Sequence, residues 1–223
     1  MLGSYIGHSI TILSLDMKAL TRDSAIARAS LLQDSSPRFI LGIVGKPGVG
    51  KSTFTHHLSQ LLSQDFVAIL PMDGFHMSNE KLVHLGRRER KGALDTFDID
   101  SFAQTLSQVK KSQGDVRFPI FEREIEASIP DAGLIPAQAR LIIVEGNYLL
   151  HTEAGWDQIG EQLDESWYLK VDDELRMQRL IDRHIHFGKS PEAAKEWSMG
   201  TDEANARLIQ ESEAIADFIV ALD

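Results

Sequence analysis

Apolar residues along this chain fall either into short unbroken runs or into longer stretches where they recur every three or four positions. Residues 39–44 (Phe-Ile-Leu-Gly-Ile-Val), 66–70 and 141–144 are unbroken runs, and 167–171 is interrupted only by Lys170. Apolar segments of that length suit strands buried on both faces of a parallel sheet. Residues 14–33, 53–63, 99–111 and 173–187 show the longer period and predict amphipathic helices. Residues 191–222 read as mostly helical, broken around Met199-Gly200-Thr201. Asp34-Ser35-Ser36-Pro37 is a breaker, and residues 116–129, with Pro119, read as an irregular strand or hairpin excursion. Strands alternating with helices predict an α/β fold around a parallel sheet. Right-handed crossovers then bring the strand ends to one edge, where ligands bind.

Composition narrows the picture. At 223 residues the chain fits one compact domain, against a prior of about 150 residues per domain. Its 43% hydrophobic and 25% charged residues exclude wholesale disorder. Acids outnumber bases 33 to 23, a net charge of −10, which argues against coating nucleic acid but leaves room for a local basic pocket. With no cysteine, disulfides, zinc–thiolate sites and cysteine nucleophiles are excluded. No apolar run is long enough to span a membrane, and the start lacks the basic residues and cleavage site of a secretory signal. A cytoplasmic protein without membrane or nucleic-acid partners is expected.

The strongest local signal is Gly45-Lys46-Pro47-Gly48-Val49-Gly50-Lys51-Ser52, followed by Thr53. It has P-loop spacing and lies between a predicted strand and a predicted helix. The glycines let the backbone N–H groups turn inward as an anion nest, at the positive end of the helix that follows. Lys51 supplies a cation for the β- and γ-phosphates, and Ser52 a hydroxyl for Mg²⁺. The guanine-reading Asn-Lys-x-Asp of GTPases is absent, as is the Leu-Ser-Gly-Gly-Gln signature of transport ATPases. Asp157-Gln158-Ile159-Gly160 fits the GTPase Asp-x-x-Gly by letter but falls in a predicted helix.

A small-molecule kinase needs an acid to take the acceptor's hydroxyl proton and arginines to close over the phosphates. Asp73 follows the second strand and is the candidate base. Glu145 follows the run 141–144 and is placed to hold Mg²⁺ with Ser52. Arg176, Arg179 and Arg183 are spaced i, i+3, i+7 and share a helix face. That face is either a solvated surface or a lid over ATP. His76 stands near Asp73, either touching substrate or orienting the acid. Phe75 and Tyr148 read as pocket wall or core. The basic run Arg87 to Lys91 is a solvated loop in isolation and a steering patch for an anion beside a ligand site.

These parts, in this order, resemble the phosphoribulokinase, uridine kinase and pantothenate kinase group of P-loop kinases. Met72-Asp73-Gly74-Phe75-His76 is similar to that group's base segment, and Pro119-Ile120-Phe121-Glu122-Arg123 to its acceptor hairpin. Val144-Glu145-Gly146-Asn147-Tyr148 is a further family-like run. Leu175 to Arg183 resembles the lid helix, and Asp202-Glu203-Ala204-Asn205 the segment near adenine. The nearest subgroup is the bacterial sugar kinases associated with fructose transport. Phe121-Glu122 departs from the Tyr-Asp or Tyr-Ser-His of uridine and pantothenate kinases.

The resemblance implies a single P-loop kinase domain, a three-layer sandwich with a mostly parallel central sheet. Residues 1–38 would form a helical extension, and residues 39–223 a core with a lid around 173–190. It implies ATP and Mg²⁺ as cofactors, and catalytic roles for Lys51, Asp73, Arg179 and Arg183. ATP contacts would extend from the loop to Arg176 and Asn205. The acceptor, a small hydroxyl compound of the sugar class, would meet Asp73, Phe75, His76, Arg123, Glu145, Asn147 and Tyr148. A nucleoside or pantothenate acceptor is the alternative, a purely regulatory ATP-binding module the non-enzymatic one, and a homodimer is left open.

Overall fold

The computed structural model describes residues 18–34, 38–63 and 65–222. In chain order its elements are β1 (Ala19–Thr21), α1 (Arg22–Leu32), β2 (Phe39–Val44), α2 (Lys51–Leu61), β3 (Val67–Pro71), α3 (Asn79–His84) and α4 (Ile99–Lys111). Then come β4 (Val116–Glu122), β5 (Ala127–Ile135), β6 (Leu141–Gly146), α5 (Asp157–Gly160), β7 (Glu165–Lys170) and α6 (Asp173–His186). The chain ends with α7 (Pro191–Trp197), α8 (Glu203–Gln210), α9 (Ser212–Ile215) and β8 (Phe218–Ala221).

Six strands form one parallel sheet in the order β1-β8-β7-β2-β6-β3. The central strands are the apolar runs of the sequence, and every residue of β6 is buried, as expected for a sheet covered on both faces. One face packs Phe75, Phe102, Tyr148 and Trp156. The other packs Ala25 and Ala29 of α1, Phe54 and Leu58 of α2, and Trp167. Side-chain caps fix helix starts: Asp98 accepts from the Ser101 N–H, and Asp172 from those of Glu174 and Leu175. Among the described residues no helix is long and apolar enough to cross a membrane.

Two expectations change at the ends of the chain. The predicted helix over 14–33 begins outside the described residues, and within them residues 19–21 are strand before the helix at Arg22. The stretch predicted as helix to 222 ends instead as β8, which pairs with β7 and β1. Nor does the helical path break at Met199-Gly200-Thr201. A wide π-type turn, Ser198–Asp202, carries it from α7 into α8. Such turns accommodate an extra residue within a helix.

β4 and β5 form a separate antiparallel hairpin, its register shifted between Phe118 and Ile120. Pro119 lies at that shift and has no N–H to give to a ladder. The hairpin sits against the turn carrying Asp73: a Cβ on Gly74 would stand 1.9 Å from the Pro119 carbonyl oxygen. Only glycine allows that approach.

Candidate active site

Sheet register explains why residues far apart in sequence converge. β6 lies between β2 and β3, with Val44 beside Gly146 and Pro71 beside Glu145. The phosphate loop leaving β2, Asp73 just beyond β3 and Glu145 near the end of β6 therefore share one sheet edge. They open onto a cleft of about 950 Å³. Pro47, Gly48, Gly50, Lys51, Ser52 and Thr53 line it on the loop side. Gly48 and Gly50 have φ of 84° and 96°, the left-handed region that glycine adopts without strain. A Cβ on Gly48 would also meet the Arg176 carbonyl oxygen at 2.5 Å. Gly45, Lys46 and Val49 frame the turn; Val49 is buried in the core, and Lys46 pairs with Asp173 at 3.3 Å.

Lys51 Nζ donates to the Gly45 carbonyl at 2.8 Å. Burial lowers its pKa to about 8, against the raising influence of the Glu145 and Asp73 charges. Glu145 is pushed the other way: burial and the nearby Asp73 charge raise its pKa, and Lys51 and the Ser52 hydroxyl oppose them. Its Oε2 is buried without a hydrogen-bond partner, a costly state for a carboxylate oxygen. Among the described residues no group of three or more His, Cys, Asp or Glu could hold a metal by itself. A hard divalent ion that takes one carboxylate, one hydroxyl and the rest of its oxygens from phosphates and water fits Glu145 and Ser52.

Asp73 Oδ2 accepts from Arg123 Nη2 at 2.8 Å. Burial disfavours the carboxylate, but the charges of His76, Arg123, Lys51 and Arg183 outweigh it and hold the pKa below the usual value. Burial lowers the His76 pKa, against the raising influence of the Asp73 charge and of its hydrogen bond to the Asp73 backbone. His76 Nδ1 lies 2.7 Å from the Asp73 carbonyl oxygen. A carbonyl only accepts, so Nδ1 carries the hydrogen, and Nε2 of the neutral ring is left as an acceptor. His76 stacks between Phe97 and Phe121, at 4.2 and 4.7 Å between centroids.

The three arginines of α6 part company. Arg179 and Arg183 line the cleft. Arg176 is 3% exposed, and its guanidinium donates to Asp173 and Glu203 at 2.7 Å and to the Pro47 carbonyl at 3.2 Å. It braces the loop with each of its three guanidinium nitrogens already engaged. Asn147 and Asn205 line the cleft. Phe75 and Tyr148 are core, Phe75 stacked on Phe102 and Tyr148 donating to the Gly92 carbonyl. Lys91, Phe121, His184, Trp197 and Asp202 also line the cleft. The basic run pointed to Lys91 and the family-like segments to Phe121 and Asp202; Trp197 had no signal.

A phosphate loop, two strand-end carboxylates and an arginine-bearing helix over one cleft define a P-loop protein of the kinase class. Residues 40–221 match the phosphoribulokinase/uridine kinase family, and the chain belongs to that family. It is 32% identical over 197 residues to "Uncharacterized protein YggC" of Escherichia coli, covering 86% of this chain and 81% of that one. It is 30% identical over 209 residues to "Putative uridine kinase C227.14" of Schizosaccharomyces pombe, covering 89% of each. Among solved structures, the "putative fructose transport system kinase" of Silicibacter sp. TM1040 superposes with a TM-score of 0.79 at 33% identity. That match covers 89% of this chain and 98% of the other. The chain is thus an ATP-dependent phosphotransferase.

Proposed function

We propose that the chain moves the γ-phosphoryl group of ATP to a hydroxyl of a small polyhydroxylated metabolite of the sugar class. The observation that carries this reading is the convergence of Lys51, Asp73, Glu145 and Arg183 on one cleft. Likeness to the fructose-transport-system kinase supports the sugar class.

The phosphate loop and Lys51 bind the β- and γ-phosphates. Asp73, ionised at neutral pH, takes the acceptor's proton at Oδ1 while Arg123 holds Oδ2. The Nε2 of His76 accepts from a second substrate hydroxyl and fixes the acceptor's orientation. Arg179 and Arg183 neutralise charge spread over the transferring group. Ser52 and Glu145 would hold Mg²⁺ together with the nucleotide, where the ion would offset phosphate charge. Arg176 supports the loop, and Asn205 borders the nucleobase end.

The test is ADP release across a panel of sugars, sugar derivatives, nucleosides and pantothenate, with the phosphorylated product identified. A sugar-class product is expected. Transfer only to a nucleoside or to pantothenate would refute the sugar class, and ATP binding without transfer to any hydroxyl would refute the kinase assignment.

A further inference from the structure

The acceptor end of the cleft holds more cationic chemistry than proton abstraction requires. Arg88, Lys91 and Arg123 all line it. Arg88 is matched by Glu126 at 2.7 Å and Arg123 by Asp73, while Glu89 stands exposed at the rim. Among the described residues Lys91 has no carboxylate within ion-pair distance. Its half-buried ammonium donates to the Asn79 side-chain oxygen at 2.7 Å and to the Glu126 carbonyl at 2.5 Å, and lies 5.0 Å from the Phe121 ring centroid. Burial, and then the Arg88 charge, lower its pKa; the Glu126 carboxylate, already paired with Arg88, opposes them. A half-buried ammonium with only neutral acceptors lacks its counter-charge.

Lys91 and Arg123 come from different parts of the chain but bear on the same place. Both charges act on His76, which stacks on Phe121 beside Asp73. A neutral sugar would meet the carboxylate and the imidazole but leave Lys91 without an ion-pair partner of its own, since the nearby Glu126 carboxylate is held by Arg88.

We propose that the acceptor is an anionic hydroxy compound, whose carboxylate or phosphate is bound by Lys91 with help from Arg123 while its hydroxyl faces Asp73. This rests on the kinase reading above and narrows its acceptor from sugars in general to sugar acids or sugar phosphates.

The experiment is calorimetric titration of the full chain, saturated with a non-hydrolysable ATP analogue and Mg²⁺. The probes are matched pairs: glucose against gluconate for the carboxylate arm, and fructose against fructose 1-phosphate and fructose 6-phosphate for the phosphate arm. At least one charged member should bind tenfold or more tightly than its neutral partner. Lys91→Met should lower that affinity about tenfold or more, and Lys91→Arg should restore part of it. Analogue affinity should stay unchanged in both variants and so report an intact fold.

Equal or tighter binding of both neutral sugars, no binding by any charged member, or an unchanged charged-ligand affinity in Lys91→Met would each overturn the inference. Turnover separates it from the kinase reading. Phosphorylation of a neutral sugar without binding of its charged relatives would sink this inference alone. Charged ligands that bind through Lys91 while no compound of either kind is phosphorylated would sink the kinase reading, and leave Lys91 as an anion site without an acceptor role.

Discussion

Asp73 lies two residues beyond β3, with one carboxylate oxygen committed to Arg123 and the other accepting from no donor among the described residues. Asp73→Asn preserves size but cannot take a proton. It should lower phosphoryl transfer by about 10²–10⁴ with little change in ATP affinity, measured as single-turnover rate and ATP Kd. Lys51 yields a pH prediction. Its lowered pKa, about 8, means that the free protein loses this positive charge as pH rises through 8. The bound polyphosphate favours the charged form, so ATP affinity should weaken from pH 7 to pH 9. In Lys51→Met that part of the dependence should vanish and affinity should be poor throughout. A wild-type profile unchanged across this range would contradict the buried-lysine account. The phosphate loop was legible in the sequence because all its residues are contiguous and their spacing is dictated by the anion. The Arg123–Asp73 pair and the contacts of Lys91 with Asn79, Glu126 and Phe121 were not. They depend on how a hairpin and a loop fold back onto the sheet edge, which no local spacing encodes.

The helix α6 shows how one face serves two purposes along its length. Near its start that face meets protein, and Arg176 is tied to Asp173, Glu203 and the phosphate loop. One and two turns later it meets the cleft with Arg179 and Arg183. Arg176→Ala strips charged partners of their donor and should cost about 2–3 kcal/mol of stability, seen as a lower Tm. Arg183→Ala should leave Tm nearly unchanged and lower kcat more than it weakens ATP binding, because its contact belongs mainly to the transition state. Equal effects of the two variants on Tm and kcat would refute this division. Gly74→Ala tests the contact between the hairpin and the base-bearing turn. A methyl 1.9 Å from the Pro119 oxygen forces the backbones apart. It should cost roughly 2 kcal/mol or more and lower Tm by about 4–8 °C in a chain of this size. The central strands were legible from their apolar runs. β1 and β8 were not: both are short, and Phe-Ile-Val-Ala is as compatible with a helix end as with a strand. What makes them strands is their pairing with each other across nearly the whole chain.

At the scale of the molecule, an acidic chain of net charge −10 concentrates cations around one cleft. The parallel sheet is what makes this arrangement possible, since it delivers the ends of β2, β6 and β3 side by side. The hairpin packs against the turn that carries Asp73, and α6 with the π-type turn borders the cleft through Arg179, Arg183 and Asp202. The central claim is that this edge transfers phosphate to a hydroxyl with Asp73 as base. The most direct measurement follows phosphorus by NMR while wild type and Asp73→Asn, matched for ATP saturation, act on the acceptor panel. The account predicts a new phosphomonoester signal growing with ADP in the wild type, and growing 10²–10⁴ times more slowly in the variant. Equal rates in the two proteins, or inorganic phosphate as the only product beside ADP, would contradict it.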